Sequence, residues 1–174
     1  MATYRAPANP RGLLRWGFNL PIVLYRARLG WVLGHRFLLL THRGRKTGKI
    51  HHTVLEVVRY DAATRESSVL SAYGDRADWY RNLQAHPAVE VRTGRSRYVP
   101  QCRLLEPDER FAAIRIYERQ YQRAFRAVMR ALGYPYDGTE EGLRALADMV
   151  VMVAFRPRDE ARASHRGQGD ASTR

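Results

Sequence analysis

Apolar residues form short runs through the middle of the chain and a helical rhythm toward its end. "RFLLLTH" (36–42) is a compact apolar run bounded by a glycine-bearing loop, the mark of a buried strand. "HHTVLEVVRY" (51–60) is rich in β-branched residues and predicts a second strand. After the turn "DAATRE", "SSVLSAY" (67–73) predicts a third. "ADWYRNLQAH" (77–86) predicts a short helix with Asp75 or Asp78 as its N-cap, closed by Pro87. "AVEVRTG" (88–94) and "SRYVPQCRLLE" (96–106) predict a hairpin about Gly94 and Arg95, with Pro100 marking an edge or a bulge.

Residues 107–132 carry the longest helical signal. Pro107 sits in the first turn and Gly133 just past the end. Phe111, Ile114, Tyr117, Tyr121, Phe125, Val128 and Leu132 recur on one face. "TEEGLRALADM" (139–149) predicts a further helix capped by Thr139, and "VVMVAFRP" (150–157) a last strand. Residues 11–34 predict a helix interrupted at Gly17 and Pro21, preceded by an arm. Residues 158–174 lack core positions and predict a disordered tail. The organisation expected is a basic arm and helix over 1–34, one folded domain over 35–157, and the tail. Short strands joined by turns argue for an α+β fold: an antiparallel sheet closing as a barrel, with helices packed outside.

Charge sharpens this picture. The 174 residues carry a formal net charge of +13. The first acidic residue is Glu56, so the whole N-terminal third is cationic. Such a surface favours anions: a multiply charged small molecule, acidic lipid or nucleic acid. The aromatic residues fall mostly at helical core spacing and do not interleave with the basic loop, which argues against a nucleic-acid stacking platform. "RGLLRWGFNLPIVLYRARLGWVLGHR" has the composition of a helix lying on an anionic membrane, or of one packed on the domain with arginine stems reaching outward. The single cysteine, Cys102, forbids an internal disulfide and fits a reducing cytoplasm. It sits in an alternating stretch and reads as packing rather than as a nucleophile.

Both lysines of the chain, Lys46 and Lys49, lie in one loop, "THRGRKTGKIHH" (41–52). The loop is not a P-loop. Only three residues separate Gly44 from Gly48, Ile50 follows Lys49, and a strand comes next instead of a helix. Its chemistry still suits an anion. The glycines permit close backbone approach, Arg45, Lys46 and Lys49 bring charge, and Thr47 brings a hydroxyl. A plain basic turn is the alternative. His51 and His52 are adjacent on a strand and face opposite ways, so they cannot share a metal ion, and no set of ligands completes a site. His51 is a further candidate anion contact. Glu56, set among apolar neighbours, is expected to reach an arginine or the barrel rim, with a role beside a substrate as the second reading. No serine lies in a nucleophile elbow.

Three segments together, "LLLTHRGRKTGKIHHTVLEVV", "YGDRADWYRNLQAHPAVEV" and the long helix with its closing strand, resemble the deazaflavin-dependent nitroreductase family. The resemblance implies a split β-barrel related to flavin-mononucleotide-binding proteins. It also implies a site for reduced coenzyme F-420, an 8-hydroxy-5-deazaflavin with a phosphodiester and an oligoglutamate tail. By the resemblance, Arg45, Lys46, Thr47 and Lys49 grip the phosphate and tail. The strand start from His51 through Thr53 to Val54 lies along the ring; an asparagine–proline pair is usual in the family where this chain has Thr53 and Val54. Ala72, Tyr73 and Gly74 pass beside the ring, with Trp79 near it. Tyr134 and Tyr136 face the substrate. The activity implied is hydride transfer to a quinone, nitroaromatic or similar electron-poor acceptor. Alternatives are an oxidoreductase binding flavin mononucleotide (FMN), and a non-catalytic carrier of deazaflavin or lipid. A cytoplasmic protein is expected, with peripheral contact at the inner face of the membrane and a homodimer as open options.

Overall fold

The computed structural model describes residues 30–131, 133, 134 and 136–158. The arm and most of the helix expected over 1–34, and all but the first residue of the tail, lie outside the described residues. Strands β1 (Phe37–Arg43), β2 (Ile50–Asp61) and β3 (Glu66–Ser71) are antiparallel neighbours in chain order. β4 (Glu90–Thr93) pairs with the other edge of β1, and β5 (Ser96–Tyr98) with β4. β6 (Pro100–Leu104) pairs with β7 (Val151–Pro157), which pairs with β3.

The hydrogen-bonded order is β5-β4-β1-β2-β3-β7-β6. Its two ends are one stretch of chain broken at Val99, so the sheet wraps into a nearly closed barrel. The Arg158 amide donates to the Val99 carbonyl at 3.2 Å across the break. Pro100 has no N–H for a ladder, which is why the strand changes partner there. The expected α+β split barrel is the architecture observed.

The barrel buries two separate cores because its strands alternate faces. On β7, Val153 and Phe155 point inward, where they meet Leu38, Leu40, Val69 and Val91. Met152 and Ala154 point outward, under the helices. This double burial explains why "VVMVAF" is apolar at every position.

Helix α1 (Asp78–Ala85) closes the inner core with Trp79 and Tyr80. Helices α2 (Pro107–Gln120), α3 (Gln122–Ala131) and α4 (Glu140–Met149) cover the outer one with Phe111, Ile114, Phe125, Leu143 and Leu146. Thr139 caps α4 as expected, accepting from the Gly142 amide at 2.9 Å.

Several expectations need correction. Residues 107–132 are not one helix. The chain breaks at Tyr121, with φ −130° and ψ 39°, although neither glycine nor proline is there. The break seats the Tyr121 ring 4.9 Å from the Arg36 guanidinium and 5.1 Å from the Tyr117 ring. These contacts override local helix propensity. Val128, expected on the apolar face, is exposed beyond the break. The third strand ends at Ser71, short of Tyr73. Neither Asp75 nor Asp78 caps α1; Ala77 holds that position without a side-chain bond. Cys102 is exposed on β6 and is not core.

Candidate functional site

The β1–β2 connection, residues 44–49, is a tight bend held from within and from one side. Inside it, the Gly44 amide donates to the Lys49 carbonyl and the Gly48 amide to the Gly44 carbonyl, both at 2.8 Å. Arg43 Nη1 donates to the Gly48 carbonyl at 3.0 Å. The two glycines serve different ends. Gly48 has φ +68°, a conformation side chains resist. A Cβ at Gly44 would stand 2.9 Å from His51 Nε2, so the small residue lets that ring lie against the bend.

From the side, α1 holds the bend through Arg45. The Arg45 amide and its Nη1 both donate to Asn82 Oδ1 at 3.0 Å, and Nη2 pairs with Asp78 Oδ1 at 2.9 Å. One arginine is therefore consumed in fixing the loop. Lys46, Thr47 and Lys49 remain exposed, and among the described residues neither lysine has an ion-pair partner. The edge facing solvent thus carries two mobile positive charges on an anchored backbone, which is a suitable grip for several anionic groups.

Beneath the bend lies a buried polar chain. Asn82 Nδ2 meets His42 Nδ1 at 3.1 Å, and His42 Nε2 meets Thr53 Oγ1 at 3.0 Å. Burial, then the neighbouring His51 and His52, hold the His42 pKa down to about 4, so its ring is neutral at ordinary pH. On the register of β1 and β2, His42 faces His51, Thr41 faces His52, Leu40 faces Thr53 and Leu39 faces Val54. His51 and Thr53 therefore share the face of the polar chain. Val54 lies on the opposite face, with Glu56.

Glu56 meets the arginine expected of it. Arg36 Nη2 stands 3.6 Å away, and the Tyr117 hydroxyl donates to the carboxylate at 2.7 Å. This pair ties β2 to α2.

Ala72, Tyr73 and Gly74 form the half-buried turn that leads into α1. The Ser71 hydroxyl donates to the Gly74 carbonyl at 2.7 Å and sets that turn. Trp79 is buried in the inner core, 8% exposed, so whatever it does for a ligand it also anchors α1. Tyr134 is buried, and its hydroxyl lies 3.5 Å from the Ala72 carbonyl. Tyr136 is half-buried, its ring edge-on to Phe125 at 5.2 Å. The two tyrosines line a cavity of about 360 Å³ with Arg126, Arg130, Asp137 and Gly138. The bend does not line that cavity. What connects the two is the Ala72–Gly74 turn, touched by Tyr134 at one end and continued into the helix that holds Arg45.

The sequence over residues 25–129, more than half the chain, matches the family described as F420H(2)-dependent quinone reductase. The chain belongs to that family. The protein is accordingly an oxidoreductase whose reductant is reduced coenzyme F-420. No match is found among curated proteins. Among solved structures, one titled an F420-H2 dependent reductase is 19% identical, covers 70% of this chain and 95% of its own, and scores TM 0.44. A protein of unknown function from Agrobacterium tumefaciens is 13% identical over 81% of this chain and 56% of its own, with TM 0.49. An FMN-binding protein from Nostoc punctiforme, related to pyridoxamine 5'-phosphate oxidase, is 16% identical over 84% and 81%, with TM 0.40. At those scores the likeness is loose, and the assignment stands on the family match.

The residues present fit the quinone reductase family's cofactor. F-420 is a polyanion, and the bend offers two exposed lysine ammonium groups with a glycine-lined backbone behind them. Two residues of this site escape motif reading: His42 and Asn82. A signal existed for Asn82. It occupies a core position of α1, three residues after Trp79, where an apolar side chain is expected and a buried amide must find partners. Among the described residues no group of three or more His, Cys, Asp or Glu stands together as a metal site. No described helix is long and apolar enough to cross a membrane.

Proposed function

We propose that the bend at residues 44–49 holds the phosphodiester and glutamate tail of reduced F-420, and that the protein passes the hydride to a quinone. The observation that carries this is the division of labour within the bend: Arg45 is spent on Asn82 and Asp78, while Lys46 and Lys49 are left facing solvent. A loop serving only as a turn has no need of an anchored backbone behind free charges. The Lys46 and Lys49 ammonium groups and the Thr47 hydroxyl bind the anionic end. His51 and Thr53 on one face, Val54 on the other, and the Ala72–Tyr73–Gly74 turn are the contacts proposed for the ring region.

Bound there, F-420 supplies the hydride; the protein supplies position and electrostatics. Tyr134 and Tyr136 are proposed on the acceptor side. Burial, with Glu118 beside it accepting a hydrogen bond from the hydroxyl, raises Tyr136 above its ordinary pKa, so it stays protonated; its proton would turn from Glu118 to a quinone oxygen as charge develops there. A nitro oxygen would present the same acceptor, so nitroaromatics are a second class of substrate. Covalent catalysis has no place in this scheme.

The test is spectroscopic. Protein is mixed with reduced F-420 and menadione, and the deazaflavin absorbance is followed. Its return at a protein-dependent rate is the result expected; binding of F-420 without turnover would make the protein a carrier. Tyr136→Phe should lower kcat with menadione by about tenfold, as for one lost oxyanion donor of modest strength, and leave F-420 affinity unchanged.

A further inference from the structure

We infer that His42 and Asn82 are positioning residues that aim the Thr53 hydroxyl, as a hydrogen-bond donor, at the cofactor bound beside it. The inference rests on the F-420 reading above and deepens it.

The direction of every bond in the chain follows from its first link. Asn82 Oδ1 already takes two N–H donors from Arg45. An amide nitrogen could not sit there, so Nδ2 faces His42. Nδ2 has only hydrogens to offer, and His42 Nδ1 must accept. A neutral imidazole that accepts at Nδ1 carries its hydrogen on Nε2. That hydrogen can go only to Thr53 Oγ1, 3.0 Å away. Thr53 therefore accepts from His42 and keeps its own O–H to give elsewhere. Among the described residues no acceptor takes it. Thr53 is half-buried, on the face it shares with His51 and only four residues past Lys49.

The geometry leaves a hydroxyl donor whose orientation is set by a relay from Arg45 through two buried side chains, His42 at 3% and Asn82 at 5% exposure. A polar acceptor on a ring held between Lys49 and the Ala72–Gly74 turn is the partner this donor suits. The relay also requires a neutral His42. Burial keeps it so, aided by the neighbouring His51 and His52 on β2 and opposed by Asp78 on α1, which Arg45 itself pairs.

Two measurements test this. The first is heteronuclear NMR of histidine-labelled protein without cofactor. His42 should show the neutral Nε2–H tautomer from about pH 5 to about pH 8. The Nδ1–H tautomer, or protonation near the ordinary histidine value, would overturn the relay. The second is equilibrium titration with F-420. Thr53→Val should weaken binding about tenfold and Thr53→Ser less than about threefold, since the hydroxyl is what matters. His42→Gln, which can accept and donate in the same order, should retain more affinity than His42→Leu. Equal affinity of the valine and wild-type proteins would reject the donor role alone. Failure of wild-type protein to bind F-420 at all would reject the parent reading and this one with it.

Discussion

Two arginines, Arg45 and Arg103, each join distant elements, and they leave opposite electrostatic results. Arg103 on β6 is saturated by carboxylates. It reaches Glu66 on β3 at 2.8 Å and Glu109 on α2 at 2.7 Å, with further bonds to both. One positive charge there faces two negative ones. Arg45 is held instead by an amide oxygen and a single, exposed carboxylate, with Lys46 and Lys49 beside it unpaired among the described residues. Charge that joins elements is matched by partners, whereas the charge proposed to take a ligand is not. The difference is visible only when partners are counted, because arginine is everywhere in this sequence.

The comparison can be broken at either side. Asn82→Leu should have the largest effect. It strips Arg45 of its amide acceptor and leaves the buried His42 Nδ1 without a donor, costing about 2 kcal/mol of stability. Calorimetry should show the lower Tm, and F-420 titration a weaker affinity, because the bend is no longer held.

Arg103→Met should be milder, about 1 kcal/mol, since the cluster is partly exposed and water screens it. Its F-420 affinity should match wild type. A loss of affinity there would mean that the two arginines do not divide the work as described.

The smallest effect is a pH slope. Hydrogen bonds from Arg103 and from the Glu106 amide pull the Glu109 pKa from 4.5 to about 2. A depressed carboxylate stabilises the fold above its unfolded value, and that stability fades as pH falls from 4.5 toward 2. Thermal melts across this window should therefore fall less steeply in Arg103→Met than in wild type.

Much of this was open to reading from the pattern of residues. Strand positions follow from apolar runs, and the cationic bend from where the lysines lie. Pro100 was legible as an edge or a bulge, but the split of residues 96–106 into two strands with different partners was not. What could not be read depends on contacts between elements far apart in the chain. Nothing local marks an end at Tyr121; the break coincides with its ring packing on the Arg36 guanidinium, 85 residues earlier (121 − 36). Nor does the spacing of "GRKTGK" say which cation is structural. Arg45 is taken by Asn82, and a bond between residues 37 apart leaves no mark in a motif. Nothing local marks His42 either: its burial and bonding depend on α1 packing over it.

The central claim is that the lysine edge of the bend grips a polyanionic cofactor. The direct measurement is the equilibrium affinity for F-420 of Lys46→Ala/Lys49→Ala beside wild type, with a thermal melt of each. Affinity should fall at least about tenfold, as expected for two lost charged hydrogen bonds, while Tm stays unchanged. Equal affinity in the two folded proteins would contradict the account and reduce the bend to a turn.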